Sequence, residues 1–334
     1  MSSSILWVVH DLGCNPGALA AYWGSEVLNH AGWRVVVQPL VPPTGRPLAV
    51  DWPHVNAPLS AHPQRWSKKA QKGLQDVACG FDRIICDQDF MTDWRVVEAA
   101  TGHVGLYLLG RQTEPLTPLQ RSLYTRLDGI LTVSRVAHAH FAHANVVMAS
   151  RLHCLPPLVD WQRKLDRLDG ERNGLRIITA GIVDTCKGLD LVFNALSVLR
   201  DQGQLVTLTV LGDGPERNRL EVYARALGVS VQFVPQWSGW AAWLLQSDYL
   251  LAPQFDDGLA LDVDAAVSLG VAVIGHKLPV IVERASLQPQ ALLLDEMNVM
   301  TVVNTLKRLR PGLRLHGTST ARIAPWEAAL ALRR

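Results

Sequence analysis

The sequence predicts an α/β protein whose parallel sheets are covered by helices. Strand-like apolar runs alternate with amphipathic helical segments through the second half of the chain, the order that gives a parallel sheet. Residues 205–219, LVTLTVLGDGPERNR, pass from a β-branched run through Gly212-Asp213-Gly214-Pro215-Glu216 into a charged helix. The length, 334 residues, is enough for two compact domains of ordinary size.

Taken in order, residues 5–40 read as a first strand, a loop with His10, Gly13 and Gly17, a helix stopped at Ala31-Gly32, and a second strand. Residues 39–63 are rich in proline, have neither period, and read as a long loop. A helix with Arg65, Lys68, Lys69 and Lys72 around Trp66 follows. The run 104–110, VGLYLLG, is a strand; residues 127–141 give a strand, Ser134 and a helix; and 151–164 include Pro156-Pro157, a domain crossing. Beyond it, residues 175–203 form strand, Gly181, a loop with Lys187-Gly188, and helix. The turn at 212–216 comes next, with Pro215 at the first helical position and Glu216 in the first turn. VSVQFVPQW, a further helix, and the segment 247–275 continue the alternation. The domain plan is 1–155, 160–315, and a helix over 316–334 that returns to the first domain.

A formal net charge of +2 gives no global electrostatic case for nucleic acid or an acidic partner. Five scattered cysteines, an odd number, read as reduced thiols in a cytoplasmic protein. The N-terminal apolar run is too short for a signal peptide or a spanning helix.

The order of these elements resembles the retaining nucleotide-sugar glycosyltransferases of family four, which have the GT-B fold of two Rossmann-like domains facing each other across a cleft. The likeness rests on Gly181 with Lys187-Gly188, the Gly212 to Glu216 turn, Ser247-Asp248 before a buried strand, and Asp257-Gly258 leading to Gly270-Val271-Ala272-Val273. The first-domain segments and the C-terminal APWEAALALRR extend it over nearly the whole chain. It implies a cytoplasmic, metal-independent enzyme moving a sugar from a nucleoside diphosphate to a hydroxyl of a glycan or lipid-linked glycan, with anomeric retention. Two other readings stand beside it. One is a non-catalytic GT-B partner or binding subunit; the other is a transferase acting on modified nucleic-acid bases.

A leaving diphosphate needs cations and backbone N–H donors. The resemblance assigns Lys187 to the phosphates, with Gly181, Gly212, Gly214, Glu216 and Gly258 in the donor site; a solvated loop lysine is the plainer reading. Asp257 is the acid for the sugar hydroxyls, or else a helix cap. Trp237 or Trp240 falls where relatives stack on the base, while Trp7, Trp23 and Trp243 read as core. His10, Gly13 and Gly17 form the acceptor-side loop.

Three positions depart from the family. Ile182 stands where an arginine is usual, Ala265 where a second glutamate is usual, and Leu109 where many relatives have a histidine. A slipped register would pair Asp256 with Asp264 instead. Arg111, at a first-domain strand end, reads either as a replacement cation or as a surface arginine. Asp87-Gln88-Asp89 spells an Asp-X-Asp metal pattern but reads better as a strand end, and His138, His140 and His143 do not share one helix face. The Arg65–Lys72 helix suits an anionic membrane surface or plain solvation.

Overall fold

The structure, a computed structural model, describes residues 4–13, 15–43, 47–48, 50–52, 54–87, 89–100, 105–110, 114–155, 158, 174–235, 239–256, 259–313, 315–317 and 323–331. The chain divides into two compact units. The first comprises Met1–Pro47, Asp51–Val159 and Ala321–Arg334, and the second Leu48–Val50 and Asp160–Thr320.

In the first unit, β1 (Ser4–Val9), α1 (Pro16–His30), β2 (Arg34–Pro39), α2 (Lys68–Ala78), β3 (Arg83–Asp87) and α3 (Phe90–Ala99) are followed by β4 (Leu106–Gly110), α4 (Pro118–Tyr124), β5 (Gly129–Thr132), α5 (Arg135–Ala144) and β6 (Leu152–Cys154). Among the described residues the sheet has six strands in the order β2-β1-β3-β4-β5-β6, every pair parallel. Every residue of β1, β3, β4 and β5 is buried, as expected for strands covered on both faces by helices.

The second unit runs β7 (Leu175–Ala180), α6 (Leu189–Asp201), β8 (Val206–Leu211), α7 (Arg217–Leu227), β9 (Val231–Val234) and α8 (Trp240–Gln246). It continues with β10 (Tyr249–Ala252), α9 (Leu261–Ser268), β11 (Ala272–His276), α10 (Pro279–Ala285), β12 (Leu292–Leu294) and α11 (Val299–Lys307). Its parallel sheet has the order β12-β11-β10-β7-β8-β9. Residues 315–317 belong with this unit, whose end lies later than the sequence plan placed it. Leu315 N donates to Gly270 O at 3.1 Å, and a Cβ on Gly317 would meet Ser268 O.

One sequence device recurs at the starts of these strands. Asp82, Asp128 and Asp248 each directly precede a strand and accept backbone N–H groups at the start of its neighbour: Ser4 N at 2.8 Å, Gly105 and Leu106 N at 2.7 and 2.8 Å, and Arg176 N at 2.9 Å. The carboxylates thus satisfy backbone donors at the amino-terminal ends of interior strands. Asp248 also accepts from Gly312 N at 2.9 Å, so the Ser247-Asp248 pair of the family pattern is a structural clasp.

The last helix, α12 (Ile323–Leu330), packs within the first unit. Trp326 is 1% exposed and stacks on Trp7 with centroids 6.4 Å apart, while Arg83 Nε donates to Leu330 O at 2.6 Å. Trp7 and Trp23 are core residues, but Trp243 is half-buried and lines a cavity with Arg176 and Gln232. Cys79, Cys86, Cys154 and Cys186 are thiols of which only Cys86, in β3, is buried. Cys14 and the Pro156-Pro157 crossing lie outside the described residues. No helix among the described residues is long and apolar enough to cross a membrane.

Candidate active site

In an open parallel sheet the ligand crevice lies beyond the carboxyl ends of the strands where successive connections turn to opposite sides. The strand orders place that point between β1 and β3 in the first unit and between β7 and β10 in the second. Each predicted loop can be followed from there.

After β1, Asp11 accepts from Gly13 N at 2.7 Å and from Asn15 Nδ2 at 2.9 Å, and Asn15 caps α1 through Ala18 N at 2.8 Å. Gly17 is required by close approach: a Cβ there would lie 1.9 Å from Asp87 Oδ2. The Asp87 carboxylate therefore sits against the first turn of α1, where a negative charge is favoured. Asp89 caps α3, accepting from Thr92 N and Oγ1 at 3.0 Å each, and His10 Nδ1 lies 3.8 Å from it. His10, Gly13 and Gly17 thus share one end of the sheet with Asp11, Asn15, Asp87 and Asp89. The Asn15-Pro16 step, a helix-start signal, is what would have pointed to the cap. No group of three or more His, Cys, Asp or Glu among the described residues could hold a metal ion.

The second unit holds most of the predicted donor residues. Lys187 is not a solvated loop residue. It ends a 3₁₀ turn, Thr185–Lys187, and is 8% exposed. Its Nζ donates to Ala180 O at 2.6 Å, Gln254 Oε1 at 3.3 Å and Asp262 Oδ2 at 3.2 Å. A Cβ on Gly181 would come within 3.1 Å of the same Nζ. Lys187, Gly181 and Gln254 therefore meet between β7 and β10, and Asp262 reaches them from α9.

The Gly212–Glu216 turn differs from its expected use. Gly212 N donates to Val234 O at 2.8 Å, Gly214 N to Asp213 Oδ1 at 2.8 Å, and Glu216 N to Val183 O at 3.0 Å. These three N–H groups already have acceptors, on β9, on the turn's own Asp213 and, for Glu216, in the loop after β7, onto which the turn is spliced. Helix α7 begins at Arg217 rather than Pro215, with Glu216 at the cap position. Glu216 accepts from Arg219, which also grips Asp190 through two bonds of 2.7 and 2.8 Å and holds that carboxyl below the ordinary aspartate range.

Neither register of the second acid presents a carboxylate to a ligand. Ala265 is fully buried, and Asp264, 1% exposed, has Arg284 Nε 3.1 Å away. Burial pushes the Asp264 carboxyl up to about 7, against the lowering by Arg284, with Asp262 and Glu283 adding to the rise. Sequence reasoning missed Asp262, Gln254 and Arg284 as a group. Two acids in an otherwise apolar helix were the available signal, since buried carboxylates need partners.

Trp240 is fully buried and so does not stack on a base. Trp66 faces inward: its indole donates to Gln71 Oε1 at 2.7 Å and its ring carries the Arg95 guanidinium at 4.6 Å. Arg65, Lys68, Lys69 and Lys72 around it are exposed. On α5, His140 is half-buried beside Phe141, and burial lowers its pKa. Asp257, Gly258, Trp237 and Arg111, together with Gln88, lie outside the described residues.

Two α/β units with these strand orders, and a final helix packed in the first, are the GT-B fold. Residues 174–310 of the second unit match the family described as glycosyl transferases group 1. The chain is similar to a D-inositol 3-phosphate glycosyltransferase of Jonesia denitrificans, with 27% identity over 192 residues, 52% of this chain and 45% of that protein. The match thus spans about half the length of that curated relative. Among solved structures, sucrose-phosphate synthase from Thermosynechococcus elongatus superimposes with a TM-score of 0.70 at 15% identity, covering 92% of this chain and 89% of the other. Anabaena Alr3699/HepE in complex with UDP and glucose superimposes with a TM-score of 0.65 at 14% identity, covering 91% and 89%.

Proposed function

We propose that this chain is a glycosyltransferase that moves a sugar from a nucleoside-diphosphate donor, held by the second unit, to a hydroxyl of a glycan or lipid-linked glycan. The observation that carries the reading is Lys187 beside Gly181, between β7 and β10, inside the segment that matches the group 1 family. UDP and glucose in one solved relative support a nucleotide-sugar donor.

In this reading the bond from the sugar's anomeric carbon to the diphosphate breaks as the bond to the acceptor oxygen forms. The acceptor proton leaves with the diphosphate or a nearby base. Lys187 stabilises charge on the departing phosphates, Asp257 engages the sugar hydroxyls, and Arg111 supplies a further cation. No metal is assigned a part, and retention is proposed from family resemblance. The location proposed is the cytoplasm, with Arg65, Lys68, Lys69 and Lys72 as a contact for an anionic membrane surface.

A second reading, a binding subunit without chemistry, is favoured by one observation: the Lys187 charge is already matched by Asp262. Calorimetry with UDP and with UDP-sugars, followed by a hydrolysis assay on any sugar that binds, separates the two. Lys187→Ala is expected to weaken UDP binding by about 1.5–3 kcal/mol, the range for charge-assisted hydrogen bonds. Equal affinity in mutant and parent removes Lys187 from the site, and binding without turnover supports the second reading.

A further inference from the structure

We infer that Asp262 stands in the anion position of Lys187 and sets how tightly this chain holds a diphosphate; the inference rests on the donor reading above. A lysine ammonium has three N–H donors. Here all three are engaged, by Ala180 O at 2.6 Å, Gln254 Oε1 at 3.3 Å and Asp262 Oδ2 at 3.2 Å. The Lys187 and Asp262 side chains are 9% and 6% exposed, so the pair is buried and its two charges cancel locally. Ile182, next to Gly181, brings no charge.

A phosphate that reaches Lys187 must replace one of the three acceptors. Ala180 O is fixed as the last carbonyl of β7, and Gln254 is neutral. Asp262 carries the same sign as the arriving phosphate and is the one repelled. It lies in the first turn of α9, whose entry passes through Ala260 in the left-handed region at φ 47°, a conformation that alanine disfavours. The surrounding fold therefore holds Asp262 in place against a local preference. Diphosphate binding exchanges one anion for another at Lys187, and affinity is lower than a lysine without a counter-ion would give.

The test is calorimetry with UDP as the probe, on the full chain, in the parent, Asp262→Asn, Lys187→Ala and the double variant. Asparagine keeps the size and an acceptor oxygen but removes the charge. The expected result is a Kd at least tenfold lower in Asp262→Asn, with the gain abolished when Lys187→Ala is added. A residue that merely supports the fold would give weaker binding on replacement, the opposite sign. Unchanged or weaker UDP binding by folded Asp262→Asn, with Lys187→Ala still weakening it, overturns the inference alone. Lys187→Ala without effect, or no UDP binding by any variant, overturns the donor reading and the inference with it. Should Asp262→Asn fail to fold, Asp262→Ser also removes the charge while keeping an acceptor oxygen. Tighter UDP binding in that variant, abolished when Lys187→Ala is added, supports the inference, and unchanged or weaker binding overturns it.

Discussion

Replacing Gly214 by alanine strains the splice on which the Lys187 turn rests. A Cβ at this position would lie 2.3 Å from Val183 O and 2.7 Å from Val183 N and C, all backbone atoms that no rotamer change can move. Ordinary contact begins near 3.4 Å, so the two loops must part by about 1 Å. Two hydrogen bonds cross this junction, Val183 N to Asp213 O and Glu216 N to Val183 O, both 3.0 Å. With about 1 kcal/mol for each bond and about 1–3 kcal/mol for overpacking, Gly214→Ala is expected to cost about 3–5 kcal/mol. That is a large part of the stability of an ordinary domain.

Two-unit chains need not unfold in one step, so the assay is amide hydrogen exchange by mass spectrometry, unit by unit. Peptides of β7 and β8 should lose protection, while those of β1 and β2 in the first unit should keep theirs. UDP binding should weaken as well, since Val183 lies between Gly181 and the Lys187 turn. A loss under 1 kcal/mol, or equal losses in both units, would refute the view that Gly214 is needed for close approach to Val183.

Asp264, raised in the fold to about 7 from an ordinary 3.8, contributes stability that is complete below pH 3.8 and is lost as pH rises through 7. Denaturant titrations of Asp264→Asn should lack that decline between pH 4 and 8; an identical pH profile in parent and variant would count against it. Trp326→Ala removes a buried ring stacked on Trp7 and is expected to cost about 3–5 kcal/mol, read as reduced exchange protection in the first unit alone. Arg219→Ala should cost less than about 1 kcal/mol despite its two short bonds to Asp190, because both side chains are about half exposed. A larger loss in melting measurements would mean that the Arg219–Asp190–Glu216 network acts as a unit.

Local signals carried the fold, and pairings between distant residues carried the site. The strands were legible because parallel strands buried on both faces are continuous apolar runs, as in β1, β7 and β10. Ser134 marked a helix start through the capping chemistry seen at α5, while the equivalent signal at Asn15-Pro16 before α1 went unread. The Gly212–Glu216 turn shows where this reading fails. Strand, tight turn and helix are local properties, but whether the turn's N–H groups hold an anion or a neighbouring loop depends on Val183 and Val234, which the motif does not contain. Trp66 was read with its basic neighbours, as a membrane-facing or solvated helix, because helix period alone could not foresee Gln71 and Arg95. Lys187 was singled out as a residue, but its burial against Asp262 was not legible, since that carboxylate lies 75 positions away.

Helix α9 brings these threads to one place. Its residues Leu261 to Val267 are all buried, so each of its two carboxyl groups must either meet a group from another element or hold its proton. Lys187 meets Asp262 from the turn after β7, and Arg284 meets Asp264 from α10. Two of the three departures from the family pattern lie in this unit: a cation is absent at Ile182, after β7, and Ala265 of α9 holds no acid where one is usual. Asp262 and Ile182 act in the same direction, since one cancels a positive charge and the other fails to add one. Electrostatics at a diphosphate site scale with the uncompensated charge that faces the ligand. In the donor reading the charge balance around Lys187 sets diphosphate affinity, and Asp262 and Ile182 are the two positions at which to change it.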